Sequence, residues 1–433
     1  MMKVSLSLHS LGSRLVALVS ASLLLAGLLS LALARFVTAV AADPYSQVTQ
    51  QILESAVYHF PDNAPAQARL AARLIEAGWD SSRSHQEVAE KALHHASRAA
   101  ELSPWNYEYH LLLSAARELK GETQGAEAAL RKAVELAPGN VNVHWQMANL
   151  LLRRNNLDEA ISELRTVTAS DPSRLPATLN LAWQASGGNL NVTRAVINED
   201  PKSLMTLAEF LLQRDQPEAA VALVNELDRD RLVALPEAPR LITSLLSIRK
   251  MDLAYKLWLG LVGGGYQTTT PLIWNGDFER DVKVDLSQFD WNFGQGKYAR
   301  IGMGSGAARS GQRSLRIAYL GVDTTRLEGE ISQLVLVRPG ARYRLECYVK
   351  TESLITPDTG PQVVVTVPDT KAIIATSTAI PNGSSDWQPM VVSFVAPSEA
   401  GALLISIKQT PRFSYVEPSK GTIWFDDFSL LEQ

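Results

Sequence analysis

The sequence predicts a multidomain chain: an N-terminal transmembrane helix, then an all-α helical repeat solenoid, then an all-β sandwich. Three observations predict it. An uncharged run rich in Leu, Ala and Val covers Leu15 to Ala34. Prolines recur 34 residues apart at Pro104, Pro138 and Pro172. Beyond about residue 270 the helical period vanishes, and short alternating or β-branched runs replace it. At 433 residues the chain also exceeds what one hydrophobic core organises.

The apolar run holds 20 residues, which at 1.5 Å rise per residue span about 30 Å, the depth of a bilayer's hydrocarbon core. Lys3 and Arg14 precede it, and Arg35 is soon followed by Asp43. The positive-inside rule then leaves the N-terminus in the cytoplasm and the rest of the chain outside. Ala39-Val40-Ala41 has the small-x-small form that signal peptidase accepts, so a cleaved signal is the alternative to an anchor. A signal's apolar core is usually about 7–15 residues, and the longer run here favours the anchor. Residues 1–43 are thus expected to form a cytoplasmic stub and a single-pass anchor. The bulk of the chain is expected to be extracytoplasmic, in the periplasm or at the cell surface.

The stretches Glu101-Leu102-Ser103-Pro104, Glu135-Leu136-Ala137-Pro138 and Ala169-Ser170-Asp171-Pro172 repeat one helix ending, because proline lacks the N–H that would continue the helix. Small residues share the period: Ala92 and Ala99, Ala126 and Ala133, Ala160 and Val167 fall where two helices must touch closely. This pattern resembles the tetratricopeptide repeat family, best over residues 73–172. Leu113 and Met147 stand at the family's leucine position and Leu130 and Leu164 at its large apolar position, whereas Ser114 and Ala148 replace a frequent glycine. Repeats are expected over 44–262, opening with a divergent pair from Ser46–Tyr58 and Pro65–Gly78. The resemblance implies a concave groove that holds protein segments. Carried over position by position, its lining is Glu108, Leu111, Ala115, Asn142, Trp145, Asn149 and Trp183. Trp145 either anchors a partner or packs between helices. His110 and His144 are also 34 residues apart, at a position where the family often has tryptophan, so repetition accounts for them without a metal. His94 and His95, adjacent on a helix, point about 100° apart and cannot both face one ion.

Gly263 to Thr270 combines helix-ending glycines with β-favouring threonines and is expected to be a linker, with the sandwich at 271–433. Strands are expected at Ser314–Tyr319, Ile331–Val337, Arg342–Lys350, Gln362–Val367, Met390–Val395, Leu403–Lys408 and Thr422–Leu430, about eight in all, which reads as a jelly roll. Three segments sharpen this: Asn275-Gly276-Asp277-Phe278-Glu279, Ser310-Gly311-Gln312-Arg313-Ser314-Leu315, and Ile423-Trp424-Phe425-Asp426-Asp427-Phe428-Ser429-Leu430. Together they resemble the galactose-binding-like jelly rolls of several carbohydrate-binding module families. The resemblance implies sugar recognition by aromatic faces beside polar groups. The candidates are Trp291, Tyr298, Trp387, Phe413 and Tyr415, with Gln409 and Arg412 as polar partners. It also implies a structural calcium held by the Asp277 carbonyl, Glu279, the Gln312 carbonyl and Asp426. Arg309 occupies a position that is often acidic in the family, so its guanidinium, set between Glu279 and Asp426, is the alternative to the ion.

Composition removes several function classes. With 41 Lys+Arg against 45 Asp+Glu the chain lacks the basic excess of a nucleic-acid binder. The one cysteine, Cys347, cannot form an intramolecular disulfide and lies in phase with Leu345 and Val349, on a strand's apolar face. All 7 histidines lie in the first third, so the sandwich has no imidazole for a triad or a zinc site. Gly302–Gly306 lacks a following helix and Gly294–Lys297 lacks the Ser or Thr of a phosphate loop, so the former is expected to be a flexible loop. Asp426 and Asp427, as strand neighbours, should face opposite ways and so cannot act as an acid–base pair. The expected protein is a non-enzymatic cell-envelope scaffold or assembly protein, its repeats docking a protein partner and its sandwich contacting glycan or protein. Exopolysaccharide or cell-surface assembly is the expected setting. The alternative is an accessory protein delivering polysaccharide to a separate glycoside-processing enzyme. Beyond the calcium, no cofactor is expected.

Overall fold

A computed structural model describes residues 11–42, 48–80, 85–263, 271–294, 296–297, 299–322, 326–328, 330–356, 359–410 and 417–433. It divides into two compact units, Met1–Asn198 and Glu199–Gln433.

The first unit opens with α1 (Leu11–Ala42), whose stretch Arg14–Val40 is long and apolar enough to cross a membrane. Then come α2 (Gln50–His59), α3 (Ala64–Asp80), α4 (His85–Leu102), α5 (Tyr107–Lys120), α6 (Thr123–Leu136), α7 (Val141–Arg153), α8 (Leu157–Ser170), α9 (Leu175–Ala185) and α10 (Leu190–Arg194). The main pairs are α3 with α4, α5 with α6, and α7 with α8. Helix α2 also packs on α3, as the expected divergent pair, while α3 packs more extensively along α4. The six small residues at the repeat period, Ala92, Ala99, Ala126, Ala133, Ala160 and Val167, are all 0% exposed, as close helix crossing requires.

The α4–α5 and α6–α7 turns are built the same way. Two residues after Pro104, Asn106 accepts from the Glu108 N–H at 3.0 Å and so caps α5. One repeat later Asn140 accepts from the Asn142 and Val143 N–H groups at 3.0 and 3.2 Å and caps α7. Nε2 of His110 and of His144 reaches back to the carbonyls of Pro104 and Pro138 at 2.9 and 2.8 Å. The two histidines thus close equivalent turns, which gives their 34-residue spacing a structural cause.

The second unit holds α11 (Pro201–Gln213), α12 (Pro217–Val224), α13 (Arg229–Val233), α14 (Ala238–Ser247) and α15 (Met251–Val262). Ten strands follow among the described residues: β1 (Asn292–Phe293), β2 (Ala299–Gly304), β3 (Ser314–Tyr319), β4 (Ile331–Leu336), β5 (Arg342–Ile355), β6 (Gln362–Thr366), β7 (Ile373–Thr376), β8 (Gly383–Val395), β9 (Ala402–Lys408) and β10 (Lys420–Glu432). They make two antiparallel five-stranded sheets, in the orders β1-β4-β9-β6-β7 and β2-β3-β10-β5-β8. Inward residues such as Leu315, Ile317, Leu345, Val363, Leu403, Ile405 and Phe425 form the core between them. Cys347 joins this core at 1% exposure, and burial raises its thiol pKa, so it packs as a small apolar side chain.

Two sequence expectations change. Gly302 to Gly304 lies in β2 and pairs with Arg316 to Ser314, so three of the five residues of the expected flexible loop are strand, because ladder pairing outweighs glycine's freedom. The second concerns α15, which packs with the start of the sandwich. Trp258 is fully buried, its Nε1 donates to the Leu286 carbonyl at 2.7 Å, and its ring meets Trp274 at 5.2 Å and Phe289 at 5.6 Å. Helices α11–α15 therefore share a compact unit with the sandwich, although the composition changes only at 263. Residues 264–270 of the expected linker lie outside the described residues.

Candidate functional site

In the first unit, α3, α5 and α7 line an open groove. One section, of about 740 Å³, is bounded by Arg69, Arg73 and Glu76 of α3, by Glu108, Tyr109, Leu111, Leu112 and Ala115 of α5, and by Gln146 of α7. Ala115 and Gln146 also border a smaller section with Trp145, Asn149 and Arg153. Five of the seven predicted groove residues, Glu108, Leu111, Ala115, Trp145 and Asn149, thus line one continuous surface. Asn142 is exposed at the start of α7 and Trp183 packs over Gly188, so neither lines these sections. Trp145 is half-buried, lies outside the neighbouring core of Val143, Met147 and Leu151, and has the Arg174 guanidinium 5.8 Å from its ring. Reading the sequence missed Arg69 and Arg73, whose i, i+4 spacing puts both on one face of α3.

In the sandwich, the three signature segments converge. Gly276 meets the β10 backbone so closely that an added Cβ would fall 2.1 Å from the Phe428 carbonyl, and the Phe428 N–H donates to the Gly276 carbonyl at 2.9 Å. Asn275 ties its own loop, accepting from Arg280 N–H and donating to the Arg280 carbonyl, both at 2.9 Å. Gly311, at φ +60°, lets the backbone pass Glu279, whose Oε1 accepts from the Gln312 and Arg313 N–H groups at 2.7 Å each. Asp426, 0% exposed, accepts from the Arg309 and Ser310 N–H groups at 2.7 and 3.3 Å. Burial is the largest influence on the Asp426 carboxyl and raises its pKa.

This geometry corrects two expectations. Arg309 does not bridge Glu279 and Asp426: its guanidinium lies 3.4 Å above the Tyr348 ring and pairs with Asp427 at 2.5 Å. Asp426 and Asp427 do not face opposite ways either. A register shift in β10 between Asp426 and Ser429, with Asp427 at φ 49°, turns both carboxylates to the 309–310 loop, where Ser310 Oγ also donates to Asp427 at 2.6 Å. The residues present do not fit a calcium cradle as they stand. Calcium takes six to eight oxygen ligands, whereas Glu279 Oε1 and Asp426 Oδ2 each already accept two backbone N–H bonds.

The sugar candidates separate. Trp291 is corrected to a core residue: it is 0% exposed, donates from Nε1 to the Asn275 carbonyl at 3.1 Å, and packs on Phe278 and Phe428. Gln409 is corrected likewise, since it is buried with its amide spent inside, accepting from Tyr319 Oη at 2.7 Å and donating to Ser419 Oγ at 2.9 Å. Trp387 is half-buried on β8, beside the Lys350–Asp386 ion pair at 3.0 Å. Tyr298, Arg412, Phe413 and Tyr415 lie outside the described residues.

A family profile described as tetratricopeptide repeat matches residues 119–182. Those residues are similar to tetratricopeptide repeats. Among solved structures, one described as MamA is 16% identical, with TM-score 0.29, over 34% of this chain and 82% of that chain. A thermophilic tetratricopeptide repeat protein of Thermus thermophilus is 20% identical, with TM-score 0.28, over 32% of this chain and 70% of that chain. A structure described as "CBM4 structure and function" is 18% identical, with TM-score 0.28, over 37% of this chain and 99% of that one. No curated protein matches the chain.

Proposed function

We propose that the chain is a non-catalytic scaffold of the cell envelope, tethered by α1 with its bulk outside the cytoplasm, whose repeat groove docks an extended protein segment. The observation that carries this reading is the continuous groove across α3, α5 and α7, with half-buried Trp145 as its aromatic anchor. Aromatic residues in partly desolvated grooves supply much of the energy of such contacts. The sandwich serves as the second contact surface, for a glycan or another protein, with Trp387 as its described aromatic candidate. Exopolysaccharide or cell-surface assembly is the setting this reading favours. In this reading the N–H donors and the Arg309–Asp427 pair hold the signature junction together.

Reporter fusions after Gln433 test the export step: activity of a reporter that works only in the cytoplasm would remove the envelope from this reading. The full chain in detergent, applied to a glycan array as the parent and as Trp387→Ala, tests the sandwich. Glycan retention that the substitution abolishes supports sugar contact at β8. Retention by neither form leaves protein docking as the activity of the chain.

A further inference from the structure

The end of α1 is seated on the repeat unit. Asn63 Nδ2 donates to Thr38 Oγ1 at 2.6 Å, Arg69 Nη1 donates to the Val40 carbonyl at 3.1 Å, and Val40 packs against the core of α3 and α4. Ala34 closes the uncharged run that spans the bilayer's apolar depth. Ala34 and Thr38 border one cleft of about 610 Å³ with His59, Phe60, Pro61 and Asp62 of the α2–α3 turn and with Leu102 and Ser103 of the α4–α5 turn. Arg98 joins these two turns, pairing with Asp62 at 2.5 Å and with Glu101 at 3.2 Å. Both turns therefore lie level with the point where α1 leaves the hydrocarbon.

These turns carry the most exposed tyrosine and tryptophan among the described residues, Tyr58 at 83% and Trp105 at 81%. Tyr58 sits in the last turn of α2, beside His59, and Trp105 directly follows Ser103-Pro104. Neither packs in a core cluster, so burial in this chain does not account for them. Tyrosine and tryptophan combine an apolar ring with a polar tip and concentrate at the headgroup level of membranes, where each end finds its own solvent. We infer that the α2–α3 and α4–α5 turns rest on the bilayer surface, with Tyr58 and Trp105 inserted at headgroup depth. The contact fixes the repeat unit at a set height on the membrane instead of leaving it on a free tether. This inference rests on α1 being a retained anchor.

The test uses the full chain in phosphatidylcholine–phosphatidylglycerol vesicles whose lipids carry nitroxide quenchers near the headgroup or at the bilayer centre. Cys347 is 1% exposed, so an introduced cysteine is the accessible thiol for an environment-sensitive fluorophore. Labels go on Trp105→Cys, on Tyr58→Cys, on Leu24→Cys within α1, and on Gln124→Cys. Gln124 is exposed and lies beyond the far end of the 14-residue α5, about 20 Å from the α4–α5 turn at 1.5 Å per residue. The expected result is Leu24 quenched from the bilayer centre, and Tyr58 and Trp105 quenched from the headgroup level at least about twofold more than Gln124. If Leu24 is quenched while Trp105 is quenched no more than Gln124, the surface contact is overturned and the anchor stands. If Leu24 is not quenched, the anchor fails and the surface contact falls with it.

Discussion

The repeat helices and the sandwich bury their residues by opposite rules. In the repeats, a side chain's partners lie within about one period: His144 meets Pro138 and Glu163, and Asn140 caps its own helix. In the sandwich, the closing contacts are distant in sequence, as between Gly276 and Phe428, Glu279 and Gln312, or Arg309 and Asp427. Local partners make a repeat tolerant, since damage stays near its origin. Distant partners make the junction of the sandwich depend on single backbone positions.

The largest expected effect is at the edge of that contrast. Trp258→Ala removes a fully buried ring from between α15 and the sandwich and should cost about 3–5 kcal/mol. Hydrogen exchange by segment should show lost protection in β4, β9 and β10 and unchanged protection in α5–α8. Equal loss in α5–α8 would mean that the two regions unfold as one. Gly276→Ala comes next, at about 2–3 kcal/mol, because its Cβ meets a backbone carbonyl that cannot rotate away. Chemical denaturation followed by the same exchange readout should place its effect at the β10 bulge, some 150 residues along the chain from the substitution.

In the groove, Trp145→Ala should weaken capture of a protein partner by about 2 kcal/mol while costing about 1 kcal/mol or less of stability, since the ring lies outside the core. A melt beside a binding isotherm checks both, and a stability loss of core size would return Trp145 to a packing role. A pH-dependent effect attaches to Asp290, which is buried next to Trp291 and whose carboxyl is pushed up to about 6, chiefly by burial. Its folded pKa lies above its unfolded one, so the native state holds the proton more tightly. Its contribution is fully present below about pH 4 and is lost as pH rises through 6, by about 3 kcal/mol at most. Asp290→Asn should flatten this part of the pH–stability curve for the second unit and leave the repeats unaffected. The smallest expected effect is at the signature junction. Added calcium or chelator should not move the melting of the parent, and Arg309→Glu should lose the pair with Asp427 without gaining a calcium response, because the backbone N–H bonds on Glu279 and Asp426 stay in place. A calcium shift in the parent would show that the N–H bonds at Glu279 and Asp426 yield to an ion.

Much of the repeat region is legible because its rules are local. Proline endings and small-residue contacts recur at fixed spacing, and the resemblance that this spacing carries implied the five groove positions that line the surface. Asn142 and Trp183 did not reach the groove because α9 enters through a short 3-10 turn at Pro172–Arg174 and Asn142 sits in a helix's first turn, where its side chain faces solvent. The sandwich was legible as strands but not as a site. Period-two alternation says that Trp291 is aromatic and near a strand, but not whether the opposite sheet covers it. Gln409 carries the polarity of a sugar contact, yet Tyr319 and Ser419, brought together only by folding, use its amide.

The sequence by itself determined the classes of element: an apolar helix, a repeat of paired helices and an antiparallel sandwich. These depend on periodicity and on local backbone chemistry, which a single segment carries within itself. Only the tertiary structure decided that α11–α15 pack with the sandwich, that Asp426 and Asp427 turn to one loop, and that Arg309 pairs with Asp427. Each of these depends on which distant surface reaches a side chain first. A hydrogen bond or a buried ring is specified by both partners, and the sequence around one of them does not contain the other.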